Sequence, residues 1–250
     1  MKGSPRSSTS DRAELPFGHI DELRLAELQA VLPLVRRGAR ILELGAGSGR
    51  QAVELQRLGF DVAAIDLATS DYADNRVFPV VDYDGVRIPF AARSFDVVFS
   101  SNVLEHVPDL PAMHAEIRRV LDVGGECFHI LPTANWRFWT SIAAFPGALR
   151  DLAAARTGRQ LKRAIRRGVR AFVQKRHGER GTAVSELWYF RPAWWRRNFH
   201  ENGFMIVREA PAGLFYTGES LLGPRLPMAR RRSAARVLGS SCVMFQLRVA

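Results

Sequence analysis

Apolar positions change period repeatedly along residues 20–131. Leu23, Leu25, Leu28, Val31 and Leu32 fall roughly on one face and predict a helix over about Ile20–Leu32. Arg40–Leu44 reads as a buried strand. A helix follows from Ser48 to about Leu58, closed by Gly59. Short apolar runs at Asp61–Ile65, Val77–Val81 and Phe95–Ser100 predict three more strands. Leu110–Leu121 has helical spacing, and Gly124-Gly125 reads as the turn into a fifth strand, Glu126–Leu131. Strands alternating with helices at this spacing predict an α/β protein, a mostly parallel sheet with helices on both faces. After Pro132 the alternation stops. Residues 133–200 form no strand–helix–strand unit and read as an insertion. Phe204–Val207 and Ser241–Val249 supply two last strands.

Composition narrows the class. An apolar fraction of 47% in 250 residues is enough for one sizeable core. No apolar run reaches the ~18–20 residues of a membrane-spanning helix. Residues 1–16 are polar, lack the apolar centre of a signal peptide, and are expected to be a disordered leader. The two cysteines, Cys127 and Cys242, both fall in predicted strands and read as reduced core thiols of a cytoplasmic protein. They are too few for a disulfide framework or zinc cluster, and no metal site is expected. The net charge of +11 favours anionic partners.

The candidate chemistry begins at residues 41–50, "ILELGAGSGR". Gly45 and Gly47 fit a dinucleotide loop, but the third glycine that loop requires is replaced by Arg50, and no phosphate-loop lysine follows. Glu43 ends a buried strand two residues before the loop. A carboxylate there needs a cationic or donor partner. That suits the ammonium and sulfonium of S-adenosylmethionine better than a pyrophosphate, which seeks amides without a nearby anion. Asp66, at the end of the second strand, suits ribose hydroxyls in either cofactor, or a turn cap.

Five stretches together resemble the class I S-adenosylmethionine-dependent methyltransferases: "ELGAGSG" (43–49), "IDLA" (65–68), "YDG…IPF" (83–90), "SFDVVFSSNVLEHV" (94–107) and "RRVLDVGGE" (118–126). The likeness spans about residues 20–131 and the final strands. It implies a Rossmann-like sheet of seven strands, mostly parallel, with a basic helical insertion before the last two. It implies that Glu43, Gly45, Ala46 and Gly47 lie along the methionine part of the cofactor, with the bare loop letting backbone amides approach closely. Asp66 would hold the ribose and Leu67 would lie against adenine. Asp84 would accept the adenine amino group beside the Gly85 amide, with Asp82 a rival for that role. Ser100, Asn102 and Val103 would stand where the sulfonium end meets the acceptor. Glu105-His106 has two readings: His106 as a base for an acceptor hydroxyl, or "LEH" as a cap that orients the loop.

The resemblance divides the chain into a core at 17–132, a substrate or lid insertion at 133–200 and core-completing strands at 201–250. Within the insertion, Leu161, Ile165, Val169 and Phe172 oppose Arg159, Arg163, Arg166, Arg167 and Arg170. That is a basic amphipathic helix over residues 159–172, either a lid or a dock for the anionic inner face of a membrane. All five tryptophans lie in the insertion, which suits a membrane interface, a ring-binding pocket or plain core. His177, Glu179, Arg180 and Glu186 form a polar cluster, either an acceptor-binding and base cluster with His177 as a second candidate base, or a salt-bridged loop that shapes the lid. The expected activity is methyl transfer to an oxygen or nitrogen of a small-molecule, saccharide or lipid-linked acceptor. An RNA methyltransferase gripping phosphates with the basic helix and a non-catalytic cofactor-binding scaffold are the alternatives.

Overall fold

The computed structural model describes residues 17–154, 157–163, 176–218 and 223–250. The expected leader at 1–16 lies outside them, as does most of the predicted basic amphipathic helix, including Ile165, Arg166, Arg167, Val169, Arg170 and Phe172. What is described of that region opens at 157. Thr157 and Gln160 exchange side-chain-to-backbone hydrogen bonds at 3.2 and 3.3 Å, a capping box that starts a helix at 158.

Seven strands form one sheet: β1 (Arg40–Leu44), β2 (Asp61–Leu67), β3 (Val80–Tyr83), β4 (Phe95–Ser101), β5 (Leu121–Pro132), β6 (Phe204–Pro211) and β7 (Cys242–Val249). Their spatial order is β3-β2-β1-β4-β5-β7-β6. The first five run parallel, and β7 is antiparallel to both its neighbours. The order reverses at β1, with β2 on one side and β4 on the other. In such sheets the crevice at the strands' carboxyl ends beside the reversal is the ligand site.

Alternation along the central strands fills two cores. Phe95 and Val98 of β4, Cys127 and Leu131 of β5, and Val243, Phe245 and Leu247 of β7 pack on one face with the helix α3 (Leu110–Val120). Val97, Phe99, Phe128, Ile130, Cys242 and Met244 face the other way, against α1 (Phe17–Leu28) and Leu55 of α2 (Arg50–Arg57). Both cysteines are buried and free. Asp109 caps α3 by accepting the Ala112 amide at 3.0 Å.

Several boundaries differ from those predicted. Gly124-Gly125 is a bulge inside β5: pairing jumps from Phe95–Leu121 to Val97–Glu126. The third strand begins at Val80, because Val77 is held by a hydrogen bond to the Ser48 carbonyl. The insertion contains α4 (Ala134–Ala154), the helix at 158–163 as α5, and the short α6 (Glu186–Tyr189). Its last part, α7 (Pro192–Glu201), is core: Trp195 and Phe199 are buried in the α3 face of the sheet. A further helix between the last two strands, α8 (Met228–Leu238), was not expected. Of the five tryptophans, Trp136 and Trp195 are buried core and Trp188 is 56% exposed. No described helix is long and apolar enough to cross a membrane.

Phe199 is fully buried among the rings of His129, Trp195 and Phe245, with centroids at 5.3–5.9 Å. Phe199→Ala is expected to destabilise the fold by about 3–5 kcal/mol, read as a lower urea midpoint with an unchanged slope.

Candidate functional site

The glycine loop leaves the end of β1 and turns into α2. Gly45, Gly47 and Gly49 all have positive φ, from 56° to 78°. The amides of Gly45 and Ala46 donate to the Ile65 carbonyl at 2.9 and 3.0 Å, and that of Gly47 to Asp66 at 2.8 Å. This corrects the expectation that these amides point at a ligand. The loop is bare for another reason: a Cβ on Gly45 would sit 2.4 Å from a Val103 methyl, and one on Gly49 2.6 Å from Phe78 Cβ. The missing side chains let the β1 loop close against the β4 loop.

Glu43 lies at the end of β1, 1% exposed, and its Oε2 has no hydrogen-bond partner. Burial raises its pKa to about 8, the Ala52 amide lowering it and Asp66 adding repulsion. Asp66 accepts from Gly47 N and Ser70 Oγ on one oxygen and from Leu67 N on the other. It is therefore also the clamp that holds the loop. Leu67 is 41% exposed at the end of β2. Gly85 lies so close to it that a Cβ would meet Leu67 Cδ2 at 3.0 Å. Asp84 accepts the Val86 and Arg87 amides at 2.8 Å each, which lowers its pKa. Its rival, Asp82, is paired with Arg76 at 2.8 Å.

These residues fit S-adenosylmethionine on the structure's own terms. A buried carboxyl lacking a partner is what an ammonium group would satisfy. Exposed Leu67 beside bare Gly85 offers a flat apolar wall, with the Asp84 carboxylate adjacent. Glu43, the 45–47 loop, Asp66, Leu67, Asp84 and Gly85 are the residues that would hold the cofactor.

The β4 loop brings the other candidates. The Ser100 hydroxyl is fully buried and hydrogen-bonded to His129 Nδ1 at 2.8 Å, so this side chain faces the core. Asn102 adopts a left-handed φ of 56°, unusual for a non-glycine. Its Oδ1 accepts from Cys242 Sγ at 3.4 Å. Cys242 also meets the Tyr216 hydroxyl, which donates to Glu27 at 2.8 Å, and Arg24 is ion-paired to Glu27 at 2.7 Å. This buried chain ties α1 to the β4 loop. Sequence reasoning missed Arg24, Glu27 and Tyr216, whose only signal was a pair of charges interrupting the apolar face of α1.

Glu105 corrects the capping reading. It makes no cap hydrogen bond, is 1% exposed, and neither carboxyl oxygen has a partner. Burial raises its pKa to about 8. The two histidines proposed separately from the sequence meet above it. His106 and His177 rings contact edge to face at 4.7 Å, and their Nε2 atoms lie 3.8 and 3.9 Å from Glu105 Oε1. Burial lowers both imidazole pKa values, that of His177 to about 3, so both rings are neutral at pH 7.

His177 is placed by main-chain ties. Glu179 N donates to the Glu105 carbonyl at 2.9 Å. At Gly178 a Cβ would stand 2.8 Å from that carbonyl, so only glycine allows the approach. The His177 and Gly178 amides donate to Glu186 Oε1, and Arg137 of α4 lies 3.1 Å from the other oxygen. Arg180 donates to the Val107 carbonyl. Glu186 and Arg180 thus shape the segment, while His177 faces the β4 loop.

The chain is similar to known methyltransferases. Residues 42–129 match the methyltransferase domain family. The chain is 34% identical over 139 residues to a ubiquinone biosynthesis O-methyltransferase of Xanthomonas oryzae pv. oryzae, covering 50% of this chain and 55% of that protein. It thus spans about half the length of the curated relatives it matches. A SAM-dependent methyltransferase from Aquifex aeolicus superposes over 93% of this chain and 96% of its own, with a TM-score of 0.55 at 12% identity. An S-adenosylmethionine-dependent methyltransferase from Mesorhizobium loti covers 89% and 97%, with a TM-score of 0.55 at 15% identity. At such identities the structures speak for the fold.

Glu43 yields a pH prediction. Its raised pKa keeps it protonated in the folded state while the unfolded chain releases the proton above about pH 4.5. Its contribution to stability is therefore complete below that pH and is lost as pH rises toward about 8. Glu43→Gln is expected to flatten stability against pH over this window, measured by urea unfolding at pH 5, 6.5 and 8.

Proposed function

We propose that this chain, whose residues 42–129 match the methyltransferase domain family, is a class I S-adenosylmethionine-dependent methyltransferase and methylates a hydroxyl oxygen of a small-molecule acceptor. The observation that carries this reading is that a buried Glu43, with Oε2 unpaired, and Asp66 both lie at the carboxyl ends of adjacent strands, beside the glycine loop. The name of the O-methyltransferase relatives supports oxygen as the acceptor atom. When bound, the cofactor supplies a methyl group on a sulfonium, which leaves by in-line displacement with the sulfur keeping the electron pair.

The chain's own contribution is mostly position. Glu43 holds the ammonium end, Asp66 the ribose, and Leu67 with Asp84 the adenine. Asn102 and Val103 set the height of the β4 loop over the glycine loop. A hydroxyl acceptor must lose a proton, and the cluster of Glu105, His106 and His177 is where this chain handles it. The neighbouring rings of Trp136 and Phe190, 4.6 and 6.3 Å from that of His177, give the acceptor side an apolar wall. A lipid-linked acceptor is a finer form of the same reading.

Calorimetry with S-adenosylmethionine, its demethylated product and NAD tests the proposal. The first two are expected to bind and NAD is not. Asp66→Ala removes hydrogen bonds to the ribose worth roughly 1.5–3 kcal/mol, so affinity is expected to fall about ten- to a hundredfold. Unchanged affinity would remove Asp66 from the site. Cofactor binding without methyl transfer to any hydroxyl compound, lipid extracts included, would favour the scaffold reading.

A further inference from the structure

From the juxtaposition of Glu105, His106 and His177 we propose that this chain binds a divalent transition-metal ion, Zn²⁺ by donor type, between the β4 loop and the 176–180 segment, and that this ion receives the acceptor hydroxyl. The metal part stands on this cluster alone; its catalytic role rests on the methyltransferase reading.

The geometry is that of ligands around a gap. One ligand atom from each of the three side chains lies within 4.8 Å of the others. The two Nε2 atoms stand 3.8 and 3.9 Å from Glu105 Oε1. These separations are too long for hydrogen bonds. Zinc bonds of about 2.0–2.2 Å put tetrahedral ligand atoms about 3.4 Å apart, so a small inward movement closes the set. Glu105 is the second, independent observation. Its carboxyl is fully buried, its two oxygens have no partner, and burying such a group without one is costly. A cation at the gap removes that cost.

The surroundings are built to hold this arrangement. The 176–180 segment is fixed to Glu105 through its main chain and to Glu186 through two amides, and Gly178 permits the contact. Nothing in that bracing requires a histidine at 177, yet the bracing directs that ring toward Glu105. The nearby cations are already engaged: Arg24 with Glu27 at 2.7 Å, Arg180 with the Val107 carbonyl.

Two imidazoles and one carboxylate favour zinc and its first-row neighbours over magnesium or calcium, which prefer oxygen. Three protein ligands leave a position open, the form of a catalytic rather than structural zinc site. Asn102 and Val103 directly precede the turn that carries Glu105 and His106. A hydroxyl bound at the open position loses its proton to solvent at a lower pKa. Its oxygen then offers its electron pair to the methyl carbon as the carbon–sulfur bond breaks toward sulfur. On this view His106 and His177 are ligands rather than rival bases, and the acceptor is a hydroxyl compound that coordinates metal, such as a phenol or vicinal diol.

The test uses the untagged full chain, stripped with a chelator and dialysed. Zn²⁺ is titrated by calorimetry, and Co²⁺ by the visible absorption of a low-coordinate site. One ion per chain is expected, with affinity at least a hundredfold lower in His177→Ala and in His106→Ala. Glu105→Gln is expected to abolish the Co²⁺ bands. The histidine variants are partly exposed and their folding is checked by thermal melts, so the test stands even if Glu105→Gln fails to fold. Absence of binding, or equal affinity in His177→Ala, overturns the site. S-adenosylmethionine binding to the metal-free protein is measured in parallel: retained there while Zn²⁺ fails, it refutes the metal alone, whereas its loss in both forms refutes the methyltransferase reading.

Discussion

The contact between Gly45 and Val103 is the constraint on which the site depends. It joins the loops leaving β1 and β4, the two strands on which the sheet order turns. An added Cβ at 2.4 Å would force them apart. Because they touch, Glu43 is sealed beneath the loop and the β4 loop stands directly over it. Glu105, two residues after Val103, is buried as well, with Gly178 and Glu179 against its main chain. Two carboxyls are thus buried with oxygens left unpaired, both oxygens of Glu105 and Oε2 of Glu43. Such groups are costly unless a ligand completes them, so these are the places where a bound ligand would recover stability.

Much of the fold was legible because strand and helix periods are strong signals in buried elements. β1, β2, β4 and β7 are apolar runs with clear ends, and each lies within two residues of its predicted bounds. The misses have physical causes. The residues of α8, "MARRRSAARVL", offer little apolar face, and the helix is anchored through Arg231, a charged residue 3% exposed that bonds the Phe215, Leu226 and Gly223 carbonyls. The β5 bulge looks like a turn because two glycines serve either purpose. α7 looked like lid because its aromatic residues suit an interface as well as a core.

The site was legible by halves. Glu43 and Asp66 announce themselves, since acids at the ends of buried strands are conspicuous. The meeting of His106 with His177 was not, because it follows from how residues 176–180 lie against the β4 loop. The role of Glu105 was misread for a related reason. In sequence "LEH" looks like a cap, and only the fold shows the Glu105 carboxyl turned inward with nothing to bond. The Arg24–Glu27–Tyr216 chain was hidden likewise, being assembled from α1 and the segment before α8.

The seam between Glu105 and residues 178–179 joins two parts of the chain that differ in their likeness to known proteins. The match to the methyltransferase domain family spans residues 42–129, so Glu105 lies inside it and residues 178–179 lie beyond it. What fastens them is a carbonyl, an amide and a missing side chain. A joint of that kind places few demands on the residues around it. Main-chain fastening of this kind leaves the side chains around it free to vary while the sheet stays still, provided that position 178 remains glycine.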